Sequence, residues 1–290
     1  MTKGVELVVD AHAELGEGPV WDNRIGRLVW IDIVRHTVLV YDPATGQTES
    51  FCVGQPVGAL APRRLGGYVL AVEEGFALAE DLARPVQLIA PVEWNKPGNR
   101  MNDGKCDTSG RFWAGTLACD GAPRAGALYR LGAEHRVEKM LDEVTCSNGL
   151  GWSPDDRHMY YIDTGTGGVD VFDYDGDAGR ISGRRRLIDM PPEEGVPDGM
   201  TVDCDGCLWI AAWGGGVVRR YAPDGARDQT IQLPVSLVTN CAFGGPNLED
   251  LYISSASQLP EAELRQQPHA GGLFVYRPGA TGTPANTYGG

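Results

Sequence analysis

Apolar runs rich in Val, Ile, Trp and Tyr recur along the chain and read as β-strands. They are RLVWIDI (27–33), GYVLAVE (67–73), RFWAGTL (111–117), HMYYIDT (158–164), CLWIAAW (207–213) and DLYISSA (250–256). One residue from each, namely Trp30, Leu70, Trp113, Tyr160, Trp209 and Tyr252, gives spacings of 40, 43, 47, 49 and 43. A second apolar strand follows most runs, as in TVLVYDP, GALYRLG, VDVFDYD, VVRRYAP and GLFVYRP. A third, more polar strand often comes next, as in TESFCV, RVEKML and DQTIQL. Helical periodicity is nearly absent; PEAELRQQ (260–267) suits a turn or two.

A further segment precedes each run: EGPVWD (17–22), VGALAP (57–62), DGKCDT (103–108), NGLGWS (148–153), DGMTVD (198–203) and NCAFGG (240–245). Their first residues are spaced 40, 46, 45, 50 and 42, in step with the first series. Two sub-patterns on one period predict an all-β fold, a six-bladed β-propeller with four-stranded blades around a central channel. A lone blade cannot bury both faces, so the six must pack as one ring-shaped domain over 1–290. VELVVDA (5–11) has no blade of its own and is expected to complete the sheet that holds the C-terminal GLFVYRP. The long amphipathic crossovers of a βαβ fold are missing.

In a propeller the first strand of each blade lines the channel. The repeat register puts Glu17, Val57, Asp103, Asn148, Asp198 and Asn240 at its start. Five of the six carry oxygen donors, and buried carboxylates are costly unless paired or bound to metal. Asp-Gly and Asn-Gly also mark turns, but at 148 and 198 they lead into core-like runs. Glu17, Asn148 and Asp198 are therefore the leading candidates for a divalent metal site; Asp103 and Asn240 are secondary ones, Asp103 as an orienting neighbour. Carboxylate and amide oxygens suit Ca2+, Mg2+ or Mn2+, with Zn2+ as an alternative.

Composition narrows the picture. The net charge of −14 argues against nucleic-acid and anionic-membrane partners. Seven scattered Cys, with no apolar leader and no membrane-length run, suit a reduced, soluble, cytoplasmic protein. Cys204 and Cys207 flank a Gly turn and read as core filling, since no second CxxC accompanies them. None of the five His falls at a repeat position. Ser147 has no recognisable His–Asp partners. Trp94 and Trp213 lie near loops and are candidates for shaping a ligand pocket, whereas Trp21, Trp113, Trp152 and Trp209 read as core.

Seven ordered motifs, LGEGPVW, NRMNDGKCD, SNGLGWSPD, VPDGMTVD, CLWIAAWGGG, TNCAFGGP and QPHAGGLF, resemble the senescence-marker-protein/regucalcin/gluconolactonase family over essentially the whole chain. The resemblance implies a six-bladed propeller and a metal-dependent hydrolase of sugar-acid lactones. Carried over position by position, it implies metal ligands at Glu17, Asn148 and Asp198, and substrate-binding residues at Arg100 and Asn102. It also places an acidic substrate contact at Asp120, where the regucalcin branch has Glu.

The expected chemistry is metal-activated water attacking a lactone carbonyl, with Asp198 as both ligand and general base. The expected partner is a small-molecule sugar lactone, with no obligate protein partner evident. Two rivals remain: an organophosphate-type esterase on the same scaffold, and a non-catalytic calcium-binding propeller.

Overall fold

A computed structural model describes residues 4–290. It contains six four-stranded antiparallel sheets. The blades run from the inner strand outward: blade 1 over residues 16–52, blade 2 over 57–91, blade 3 over 99–144, blade 4 over 147–189 and blade 5 over 196–232. Blade 6 takes three strands from residues 238–276, and its outer strand is Glu6–Val9, paired antiparallel with Leu273–Tyr276. The pairing completes the last blade with the N-terminal strand, from which the chain runs on into blade 1. The only α-helix among the described residues is the single turn Glu261–Leu264.

The core lies between the blades. Second strands read as near-continuous apolar runs because both faces are covered, and Trp30, Trp113 and Trp209 are fully buried there. Outer strands such as Gln47–Cys52 are exposed, which explains their polar sequences. Buried aspartates at the far ends of inner strands tie blades together. Asp107 accepts from the Trp113 Nε1 at 2.9 Å, from Arg111 and from the Tyr174 hydroxyl of blade 4 at 2.8 Å. Asp22 takes the Tyr68 hydroxyl of blade 2 at 2.9 Å together with Arg24. Each of these carboxylates is fully engaged by protein donors, and their role is structural.

All six inner strands carry a register shift near their start, so that extra residues bulge towards the channel. This corrects the sequence register by one residue in three blades. The ladders pair Gly16 with Asp32, Met101 with Thr116, Ser147 with Asp163 and Pro197 with Ala212. The equivalent residues are those that follow: Glu17, Asn102, Asn148 and Asp198. Asn102 therefore takes the position read as Asp103, Thr239 the position read as Asn240, and Gly58 the position read as Val57. The glycines at or after these positions permit close approach of neighbouring blades. A Cβ on Gly58 would lie 2.5 Å from the Met101 oxygen, and one on Gly149 2.7 Å from the Met200 nitrogen.

The C-terminal segment crosses the other end of the channel. The Cys204 N–H donates to the Thr281 oxygen, Tyr288 N–H to Pro62, Gly289 N–H to Gly110 and the Tyr288 hydroxyl to Gly132. This roof, which the repeat pattern gave no sign of, covers a chamber of about 400 Å³.

Candidate metal centre

At the end where the inner strands begin, Glu17, Arg100, Asn102, Asn148 and Asp198 line one cavity of about 240 Å³, together with Cys146, Thr164 and Trp213. These five residues come from the inner strands of four blades, and each of those strands bulges near that point, which brings side chains of different blades to a common space. Glu17, Asn148 and Asp198 are all buried, and so is Asn102. Asp103 and Asn240 lie deeper, on the side of the larger chamber.

The Asn148 side chain is held by its amide nitrogen, which donates to the Thr164 hydroxyl at 3.0 Å. That hydroxyl donates in turn to the Pro197 carbonyl at 2.8 Å, next to Asp198. The arrangement leaves the Asn148 Oδ1 buried without a hydrogen-bond partner. An orphaned buried carbonyl oxygen is costly, and here it belongs to a residue that lines the same cavity as two carboxylates. A hard cation would satisfy it, so the donor set fits a divalent metal of the kind expected from the oxygen ligands. Among the described residues no cluster of three or more His, Cys, Asp or Glu is arranged for a metal; the third donor here is an amide.

The electrostatics agree. Burial, reinforced by Asp103, pushes Glu17 from an ordinary 4.5 up to about 8. Burial also drives Asp198 well above the usual carboxylate range, with Glu17 and Asp103 adding to the effect. Carboxylates this close resist joint ionisation unless a cation joins them. Arg100 is the nearby positive group. Its Nη1 donates to Asn102 Oδ1 at 2.7 Å and to the Met101 oxygen at 3.0 Å. Asn102 donates onward to the Ser147 oxygen at 2.7 Å, so both ends of its amide are engaged within the protein.

Asp120 is not brought to this cavity. It is exposed, and its Oδ1 caps the Ala122 N–H at 3.0 Å. Trp213 lines the cavity, whereas Trp94 is 85% exposed. Ser147 accepts the Tyr161 hydroxyl at 2.8 Å and has no histidine partner among its hydrogen bonds. Cys204 is exposed and Cys207 buried, both as free thiols. Residue-by-residue reading missed Thr164 and the aspartates that shape the rim. Asp163 accepts the Thr145 and Cys146 N–H groups, and Asp32 those of Glu14 and Leu15. The repeated Ile-Asp of WID and YID was the available signal.

A ring of six blades whose bulged inner strands gather oxygen donors at one end defines a six-bladed β-propeller with a polar cavity at the mouth of its channel. The chain belongs to the family described as SMP-30/gluconolactonase/LRE-like, whose region matches residues 15–257. It is 43% identical to regucalcin of Danio rerio over 289 residues, covering 98% of each chain. Among solved structures, a calcium-binding protein, regucalcin, from Agrobacterium tumefaciens superposes with a TM-score of 0.94 at 28% identity, covering 99% of this chain and 97% of that one. A gluconolactonase from Xanthomonas campestris shares the fold, with a TM-score of 0.78 at 22% identity over 94% and 89% of the two chains. No helix among the described residues is long and apolar enough to cross a membrane.

Proposed function

We propose that the chain hydrolyses sugar lactones, opening an aldonolactone to its aldonic acid with a bound divalent cation. The observation that carries this reading is the orphaned Asn148 Oδ1 standing with Glu17, Asp198 and Arg100 around one small cavity. The cavity is smaller than the roughly 300–1,000 Å³ of drug-sized ligand sites, which suits a single sugar ring. The family description, which includes gluconolactonase, and the relative named as calcium-binding support the reading.

When bound, the cation supplies Lewis acidity at the carbonyl and acidifies water; Ca2+ is the first candidate, then Mg2+, Mn2+ and Zn2+. Asp198 takes a proton from the water as its oxygen joins the acyl carbon. The bond from that carbon to the ring oxygen then breaks, Asp198 returns the proton to the ring oxygen, and the acid product releases the other. Arg100 has N–H groups left over from its two internal bonds, and these orient the carbonyl or hydroxyls of the substrate. Asn102 holds Arg100 through its Oδ1, and its second amide N–H is left to donate to the substrate. Asp120, exposed and engaged with Ala122, has no step in this scheme.

The test is a panel of chelator-stripped protein, four cations and several aldonolactones, with acid release followed by a pH indicator and a phosphotriester run alongside. Expected is turnover only with cation, faster on lactones, and reduced about 10²–10⁴-fold by Asp198→Asn. Undiminished turnover by the stripped protein or by that variant rules the mechanism out. Faster phosphotriester cleavage transfers the assignment to the esterase rival.

A further inference from the structure

One buried amide on blade 6 touches two carboxylates of the channel. Asn240 Nδ2 donates to Glu17 Oε2 at 2.9 Å and to Asp103 Oδ2 at 3.1 Å, while its Oδ1 accepts the Cys241 N–H at 2.8 Å. These three bonds permit one orientation of the amide; the flipped one would turn its oxygen towards two carboxylates and its NH2 group towards an N–H. Glu17 Oε2 also accepts the Gly18 N–H at 2.8 Å. Two donors thus hold one oxygen of Glu17. No hydrogen bond within the described residues reaches the other, Oε1, and Glu17 lines the cavity.

The neighbouring blade is shaped around this amide. A Cβ on Gly199 would lie 2.0 Å from Asn240 Cγ, so only glycine after Asp198 leaves room for it. Asp103 is itself fixed by the Gly104 N–H at 2.7 Å. Asn240 therefore ties together the inner strands of blades 1, 3 and 6 at the floor of the candidate metal centre.

We propose that Asn240 is a positioning residue of the cation site: by pinning Glu17 Oε2 it keeps Oε1 free and facing the cavity as a single-oxygen donor. The inference rests on the reading of Glu17, Asn148 and Asp198 as metal ligands. Outer partners that orient a ligand typically change metal affinity 10–100-fold when removed.

The experiment titrates chelator-stripped full-length protein with Ca2+ by calorimetry, and measures Eu3+ luminescence lifetimes in H2O and D2O to count waters on the ion. Asn240→Leu, similar in size but without donors, is compared with Asn240→Thr, Glu17→Gln and Asp198→Asn. Expected for Asn240→Leu and Asn240→Thr is a Ca2+ Kd weaker by about 10–100-fold, with about one extra water on Eu3+. A merely structural role would lower thermal stability without changing the hydration number. Unchanged Kd and hydration in the Asn240 variants, with weakened binding by Glu17→Gln, overturns the inference and leaves the metal site standing. Unchanged binding by Glu17→Gln and Asp198→Asn overturns the metal site itself. Should both Asn240 variants fail to fold, a Ca2+-loaded wild-type crystal structure decides: Glu17 Oε2 must stay on Asn240, and a bidentate Glu17 on the ion refutes the proposal.

Discussion

Residue chemistry separates two kinds of buried acid in this channel. Asp107 is surrounded by protein donors, whereas Asn148 Oδ1 has none and Glu17 and Asp198 hold raised proton affinities. Sequence picked out Glu17, Asn148 and Asp198 because oxygen donors recurred on the repeat. It could not tell them from the structural aspartates by residue type; only the partners do that. Asn102 illustrates the limit further. It reads as a substrate contact, and the structure adds that its amide also engages Arg100 and Ser147. Asn102→Ala should therefore release Arg100 and raise the KM for lactone more than it lowers kcat, leaving Ca2+ affinity within about twofold. A steady-state comparison with Arg100→Ala checks this, and a pure kcat loss would contradict it.

At the scale of elements, the bulge is the device that makes the site. It adds residues to each inner strand and re-aims side chains across the ring, while the following glycines let blades approach. Periodicity located the strands, but a one-residue insertion is invisible to a period that itself varies from 40 to 50. Hence Asp103 was placed where Asn102 stands. Gly58 is a test of inter-blade spacing, since the atoms nearest to a Cβ placed there are Met101 and Asn102 backbone. Gly58→Ala should cost about 1–3 kcal/mol of stability through overpacking, seen as a lower urea midpoint. An unchanged midpoint would show that blades 2 and 3 separate freely.

For the whole molecule, the buried channel carboxylates couple stability to pH. Glu17, Asp103 and Asp198 all bind protons more tightly when folded, chiefly through burial. A raised carboxylate pKa stabilises fully below the unfolded value and loses that contribution as pH rises through the folded one. For Glu17 the window runs from 4.5 to about 8. Metal-free protein should therefore show a falling thermal midpoint from pH 5 to 8, and Ca2+ should restore more stability at pH 8 than at pH 5. Differential scanning fluorimetry with and without chelator measures both. A metal-free midpoint that rises across this window contradicts the assigned proton affinities.

The sequence alone determined the propeller, the number of blades and the leading ligand candidates, because short-range alternation and a long repeat are properties of order along the chain. Sequence order also marked Val5–Ala11 as a strand without a blade of its own. What it did not contain was the contact between repeats. Which oxygen lacks a partner, which acid is neutralised by a neighbour, that Asn102 supports Arg100 and that Asn240 holds Glu17 all depend on atoms from different blades meeting in one low-dielectric space. Those distances, and the desolvation that goes with them, exist only once six blades have closed around the channel.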